Sequence, residues 1–218
     1  MVKRKPGFYP VFLYPHICEN GKTMKLLLAS GSPYRRELLT RLRIPFDCAS
    51  PDIDETPSTN ESPQDYVARL AYEKARALAA QYPQHWIIGS DQTCVLNNQI
   101  CGKPGNHDNA VAQLQRANGQ RVSFYTGLCL LNSDSGEYYS LTEPFHVHFR
   151  NLSEAEIERY VALEQPYDCA GSFKVEGLGI NLFEKLEGRD GTSLIGLPLI
   201  GLIDLMRKAG INPLELAQ

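Results

Sequence analysis

Asp91 is a carboxylate in the middle of a stretch that otherwise reads as a strand. In Trp86–Gly105, WIIGSDQTCVLNNQICGKPG, Ile87, Gly89, Asp91, Thr93 and Val95 fall on one face, and Trp86, Ile88, Ser90, Gln92, Cys94 and Leu96 on the other. Aspartate is depleted from strand interiors. Buried without a partner it costs several kcal/mol or takes up a proton, so something must compensate it, and a metal or a cationic ligand would do so. Lys103 is the nearest cation to arrive. The chain is expected to turn at Asn97-Asn98, return along Gln99-Ile100-Cys101 and deliver Gly102-Lys103-Pro104-Gly105 to the same neighbourhood. Taken alone, the pair reads equally as a hydrogen-bonded structural acid and a surface turn lysine.

Three further places could handle charge. Ser30-Gly31-Ser32-Pro33-Tyr34-Arg35-Arg36 follows the apolar run Lys25–Ala29 and precedes a helical pattern through Leu38, Leu39 and Leu42. With Ser32 as N-cap and Pro33 at the first helical position, free N–H groups, hydroxyls and arginines gather where an anion would sit. The loop Pro51–Pro63 carries Asp52, Asp54 and Glu55, which on composition alone keep a surface solvated. The third place is Lys74, in the predicted helix Pro63–Gln81. It shares the apolar stripe of Val67, Leu70, Ala71 and Leu78, so it either snorkels out or projects into a polar cavity.

The elements that must hold these residues follow from local signals. Phe46–Ser50 reads as a second strand, and Ser62 caps the long helix, with Asp65 at the positive end of its dipole. Asn106 starts a helix to about Ala117. Arg121–Leu131 and Glu137–Phe149 form a hairpin, with Pro144 marking an edge or bulge. His146 and His148 share a face there, but no third metal ligand accompanies them. Ser153-x-x-Glu156 is a capping box. Asp168–Ile180 is rich in glycine and holds Lys174 and Glu176, then Leu182–Leu186 reads as a strand and Leu197–Ala209 as a helix.

Composition narrows the function classes. A chain of 218 residues with 43% hydrophobic and 22% charged residues is ordinary globular material. Its net charge of −3 argues against a general nucleic-acid-binding surface. The six cysteines include no C-x-x-C pair and show no zinc spacing, so they read as reduced thiols of a cytoplasmic protein, and a Cys94–Cys101 disulfide is not expected. No run of about twenty apolar residues exists to span a membrane. Residues 1–23 are basic through Lys3, Arg4, Lys5 and Lys22, and Pro6, Pro10 and Pro15 interrupt any signal-peptide helix. They are expected to be a flexible extension ahead of one domain over 24–218.

Together, L-A-S-G-S-P-x-R-R-E-L-L, D-E-T-P, E-K-A, G-S-D-Q, G-K-P, F-Y-T-G, A-G-S-F-K-x-E-G-x-G and G-L-P come in the order shown by Maf-like nucleoside triphosphate pyrophosphatases. The resemblance runs from about Met24 to Pro213. It implies an α/β fold of Maf-like (inosine triphosphate pyrophosphatase-like) type, a mixed sheet with flanking helices, bilobed around a deep cleft. It also implies hydrolysis of a nucleoside triphosphate to monophosphate and pyrophosphate with a divalent cation, Mg²⁺ or Mn²⁺. The family's proposed general base falls on Asp91, and its phosphate-handling and cleft positions on Ser30, Ser32, Arg35, Glu55, Lys74 and Lys103, with Glu55 assigned here to the metal.

Subgroups differ at three places, where this chain has Tyr34, Gln92 and Glu176. Members acting on dTTP and UTP commonly carry Arg, Thr and Gln there. The replacement resembles the branch associated with 7-methyl-GTP, which usually has Trp where this chain has Tyr34. Physically, a cationic N7-methylated guanine gains about 0.5–2 kcal/mol from an aromatic face. A carboxylate such as Glu176 can accept from its N1–H and N2–H. The bland reading packs Tyr34 on its own helix and pairs Glu176 with Lys174 or Lys185. The expected partner is a small-molecule nucleotide, with no stable nucleic acid and no membrane, and a homodimer is left open. The alternatives are a dTTP/UTP pyrophosphatase, a phosphatase of small esters, or a non-catalytic nucleotide-binding regulator of cell division.

Overall fold

An unbroken apolar strand needs cover on both faces, and KLLLA obtains it. In a computed structural model, which describes residues 24–97 and 99–218, Leu26 and Leu28 pack into one helical layer, and Leu27 and Ala29 into another. The basic N-terminal stretch and Asn98 of the expected turn lie outside the described residues. The elements are β1 (Lys25–Ala29), α1 (Pro33–Thr40), β2 (Asp47–Ala49), α2 (Pro63–Ala79), β3 (His85–Leu96), β4 (Gln99–Cys101), α3 (His107–Ala117) and β5 (Arg121–Asn132). They continue with β6 (Tyr138–Phe149), α4 (Glu154–Glu164), a 3-10 turn (Leu178–Leu182), β7 (Phe183–Gly188), α5 (Thr192–Ile195), α6 (Leu199–Lys208) and α7 (Pro213–Leu216).

The seven strands form one mixed sheet in the order β2-β1-β3-β5-β6-β7, with β4 folded back on β3. β1 is parallel to β2 and β3, and the other pairings are antiparallel. β3, β5 and β6, of 12 residues each, are the longest strands among the described residues. On one face α1, α6 and α7 bury Leu38, Leu39, Leu202, Leu205, Met206 and Leu216. On the other, α2 buries Ala71, Ala75 and Leu78. A separate core joins α3 and α4 to the far halves of the long strands through Val111, Leu114, Ile157, Val161, Phe124 and Phe145. Two lobes thus share one sheet, with the cleft between them.

Two glycines set how closely α2 lies on that sheet. A Cβ on Gly89 would stand 1.9 Å from the Ala71 carbonyl oxygen, and one on Gly127 would stand 2.1 Å from that of Val67. Gly127 is the register partner of Asp91. The helix therefore rests on bare backbone beside the acid, and its next turn carries Lys74.

Most of the expected elements are present, including the Ser32, Ser62 and Asn106 caps and the full Ser153/Glu156 capping box. Pro144 lies just past the β7 ladder, which ends at Phe145↔Gly188, so its missing N–H takes nothing from that pairing. His146 bonds Ser123 Oγ at 2.9 Å and His148 bonds Glu187 at 3.0 Å, as a structural pair would. The expected helix Leu197–Ala209 is α6, and two short helices that the sequence reading did not anticipate flank it: α5, which ends at Gly196 with φ 108°, and α7. Cys94 and Cys101 face each other across the β3–β4 ladder as free thiols. No helix among the described residues is long and apolar enough to cross a membrane.

Candidate active site

Strand alternation sends the side chain of Asp91 towards α2, on the same face as Ile87 and Gly89. There it meets Lys74, one of the few buried charges: Lys74 Nζ donates to Asp91 Oδ1 at 2.6 Å, and the two residues are 7% and 8% exposed. The same ammonium lies 2.7 Å from Glu55 Oε1. Of the two alternatives for Lys74, the polar cavity is the one realised. Three elements distant in sequence, the acidic loop, α2 and β3, converge on one cation.

The cavity is a cleft of about 680 Å³ lined by Ser30, Ser32, Tyr34, Arg35, Glu55, Lys74, Asp91, Gln92, Lys103 and Glu176, the ten positions on which the family resemblance places its site. The β1–α1 turn forms one wall. Ser30 Oγ accepts from the Ser32 N–H at 3.1 Å, and Ser32 Oγ accepts from the Arg35 N–H at 3.4 Å, leaving both hydroxyl hydrogens free to donate to an anion. Arg35 is steered by its Nε–H, which donates to the Gly196 carbonyl at 2.7 Å. Burial pulls the Arg35 guanidinium below its usual range, while Asp91 and Glu55 push it up. Of the two arginines in the motif only Arg35 enters the cleft. Arg36 is exposed and sits near Cys48.

The hairpin brings Lys103 to the cleft, exposed to solvent. The glycine-rich segment closes the far end. Phe173 anchors it among Phe124, Phe149 and Phe183, at centroid separations of 5.4, 5.9 and 4.7 Å. Glu176 is exposed and engages neither lysine of the bland reading, since Lys174 lies 4.0 Å from Asp168 and Lys185 pairs with Glu187 at 2.8 Å. Tyr34 lines the same cleft as Asp168, Cys169 and Glu176; burial raises its hydroxyl pKa, and Cys169, Asp168, Glu176 and Glu164 raise it further. Lys74 and Arg35 thus stand near Asp91, and the cleft is also lined by Tyr34, Asp168 and Glu176.

Gln92 lines the cleft and is also held from behind. Its Nε2 amide donates to the carbonyls of Ser193 at 2.6 Å and Leu194 at 3.2 Å and bonds Thr126 Oγ1 at 3.0 Å. Sequence reasoning missed this support. Thr126 Oγ1 donates to the Ser193 carbonyl at 2.9 Å, Ser90 Oγ reaches the Gly127 and Gly196 carbonyls at 2.9 Å each, and buried Asp190 accepts from Thr192 and Ile200 N–H groups. The available signal was polar residues on the sheet face away from Asp91, Ser90 and Gln92, which needed partners.

The donor set suits a hard divalent cation. Glu55 and Asp91 offer oxygen alone and already converge on a positive charge, the Lys74 ammonium. No group of three or more His, Cys, Asp or Glu able to hold a metal occurs among the described residues, so phosphate oxygens and water would complete the shell.

Comparison with known proteins gives three findings. The Maf-like protein family matches residues 25–209. A protein of Pseudomonas savastanoi pv. phaseolicola (strain 1448A / Race 6) named 7-methyl-GTP pyrophosphatase is 62% identical over 187 residues, covering 86% of this chain and 97% of its own length. The solved structure of the Staphylococcus aureus Ham1 protein is similar at a TM-score of 0.42 and 14% identity, covering 57% of this chain and 71% of that one.

Proposed function

This chain belongs to the Maf-like protein family, and we propose that its cleft hydrolyses 7-methyl-GTP to the monophosphate and pyrophosphate. The observation that carries the reading is the division of charge along the cleft: cations around a buried carboxylate, and carboxylates around an aromatic ring. Such a site complements a ligand with an anionic triphosphate and a cationic base. The high identity to a relative bearing that activity in its name supports the same substrate.

Arg35, Lys74 and Lys103 bind the triphosphate and stabilise the charge that moves towards the leaving group, and the Ser30 and Ser32 hydroxyls donate to its oxygens. Asp91 takes the proton of the water that attacks the α-phosphorus. The bond from that phosphorus to the bridging oxygen breaks, and pyrophosphate leaves. Tyr34 stacks on the base, and Glu176 accepts from the guanine N1–H and N2–H. A divalent cation, Mg²⁺ or Mn²⁺, would be held by Glu55 with Asp91 and would neutralise phosphate charge. Gln92, the third specificity position, lines the cleft with its Nε2 amide held by the Ser193 carbonyl. The reading includes a cytoplasmic protein that takes a free nucleotide and no nucleic acid.

The test is a panel of 7-methyl-GTP, GTP, UTP and dTTP with the released phosphate identified. Pyrophosphate from 7-methyl-GTP in preference to the others is the expected result. Preference for UTP or dTTP would overturn the assignment of Tyr34 and Glu176, orthophosphate would make the protein a phosphatase, and tight binding without turnover would make it a regulator.

A further inference from the structure

Glu55 belongs to a segment with no helix or strand of its own, between β2 and α2, and its side chain is 56% exposed. Something has to hold that segment where the carboxylate meets Lys74. The fixed points come from α2. Arg69 grips Glu61 with two prongs, Nε to Oε1 at 2.6 Å and Nη2 to Oε2 at 2.8 Å. Its Nη2 also donates to the Thr56 carbonyl at 3.2 Å, beside Glu55 in the chain, and its Nη1 to Glu73 Oε2 at 3.1 Å. Tyr66, whose ring lies 5.7 Å from the Arg69 guanidinium carbon, donates its hydroxyl to the Glu55 carbonyl at 2.9 Å. Glu61 in turn accepts from the Ser58 N–H at 2.9 Å.

The bonds form a sequence along one helix face. Tyr66, Arg69 and Glu73 occupy successive turns of α2, and Lys74 adjoins the last. The helix that carries the shared ammonium therefore also holds the carbonyls of Glu55 itself and of Thr56, the residue after it. Only a planar fork serves these partners together, because the two Glu61 oxygens, a carbonyl and Glu73 lie around one guanidinium.

We propose that Arg69 is a positioning residue for the proposed reaction: clamped to Glu61 and Thr56, with Tyr66 alongside, it holds the acidic loop so that Glu55 is presented to the divalent cation and the triphosphate. The proposal rests on the reading of Glu55 as a metal-binding carboxylate.

The test compares the full chain with its Arg69→Met form in two measurements. In the ligand-free protein, amide hydrogen exchange over residues 54–61 rises roughly tenfold or more, while β3 keeps its protection. In the second, Mn²⁺ binding in the presence of inorganic pyrophosphate, followed by electron paramagnetic resonance, weakens by about 10- to 100-fold, the usual effect of losing a residue that orients a metal ligand. In a Glu55→Gln background the same substitution changes Mn²⁺ binding no further. Arg69→Lys, which keeps the charge without the fork, gives intermediate values and serves if Arg69→Met does not fold. Unchanged exchange over 54–61 would overturn the clamp, and faster exchange with unchanged Mn²⁺ affinity would overturn its link to Glu55. An equal loss in the Glu55→Gln background would make Arg69 a general structural residue. A parent protein that binds no Mn²⁺ with pyrophosphate would overturn the metal reading, and the proposal with it, while exchange still reports on the clamp.

Discussion

Lys74 and Asp91 are joined Nζ to Oδ1 at 2.6 Å, and the bond exists because α2 can press onto the sheet at Gly89 and Gly127. An ammonium that also reaches Glu55 fixes the direction in which the Asp91 carboxylate faces the cleft. Asp91→Asn keeps an oxygen for Lys74 and removes the proton acceptor. We expect kcat to fall by about 10² or more with thermal stability and KM close to the parent's, the scale of a positioned base. Steady-state kinetics on 7-methyl-GTP decides it, and unchanged turnover would remove Asp91 from the chemistry.

Base selection is predicted to reside in Tyr34 and Glu176. Tyr34→Leu removes an aromatic face worth about 0.5–2 kcal/mol to a cationic ring, so the ratio of kcat/KM for 7-methyl-GTP over GTP should fall by about 2- to 30-fold. Glu176→Gln should lower kcat/KM for both purine nucleotides, since its amide accepts from only one side. A ratio unmoved by the Tyr34 change would place the base elsewhere in the cleft.

Adding one methyl at Gly89 tests the helix–sheet contact. Its Cβ would stand 1.9 Å from a backbone oxygen, which no rotamer can relieve. Gly89→Ala should destabilise the fold by about 3 kcal/mol, at the upper end for overpacking, and should lower activity by moving Lys74 away from Asp91. Urea denaturation checks the first part. A fully active protein of parental stability would show that α2 can shift without cost to the site.

Acid should release the loop clamp before it unfolds the core. The Arg69 hydrogen bond, with lesser help from Ser58, lowers the Glu61 pKa from 4.5 to about 2. A folded value below the unfolded one means that the native state holds fewer protons between them. The contribution is therefore full above about 4.5 and is lost as pH falls towards about 2. Proteolysis within 54–61 by an acid-active protease should accelerate over that interval, and Glu61→Gln should already show the faster rate at neutral pH with a protease active there.

How much of this the sequence disclosed depended on whether a signal was local. Caps at Ser32, Ser62 and Asn106 stand within a few residues of what they satisfy, and period-2 and period-3.6 patterns placed β3 and α2 well. Lys74 stood out because a charge in an apolar stripe has few explanations. The Arg69 clamp did not, since its partners Thr56 and Glu61 lie in a loop whose path no periodicity reveals. The same holds for the strut of Gln92, Thr126 and Ser193, assembled from residues up to 101 positions apart. Gln92 is the instructive case. Strand alternation already put it on the face opposite Asp91, but its partner there, the Ser193 carbonyl, is too far along the chain for any local pattern to name.

Gly196 gives Arg35 a hinge pin as well as a neighbour. Its carbonyl occupies the Nε–H, so the guanidinium can meet an incoming anion only through its terminal amino groups. Its long stem is thereby tethered near the tip, and the swing that a free arginine would lose on capturing a ligand has been surrendered during folding. Lysine at this position would carry the same charge on an untethered arm.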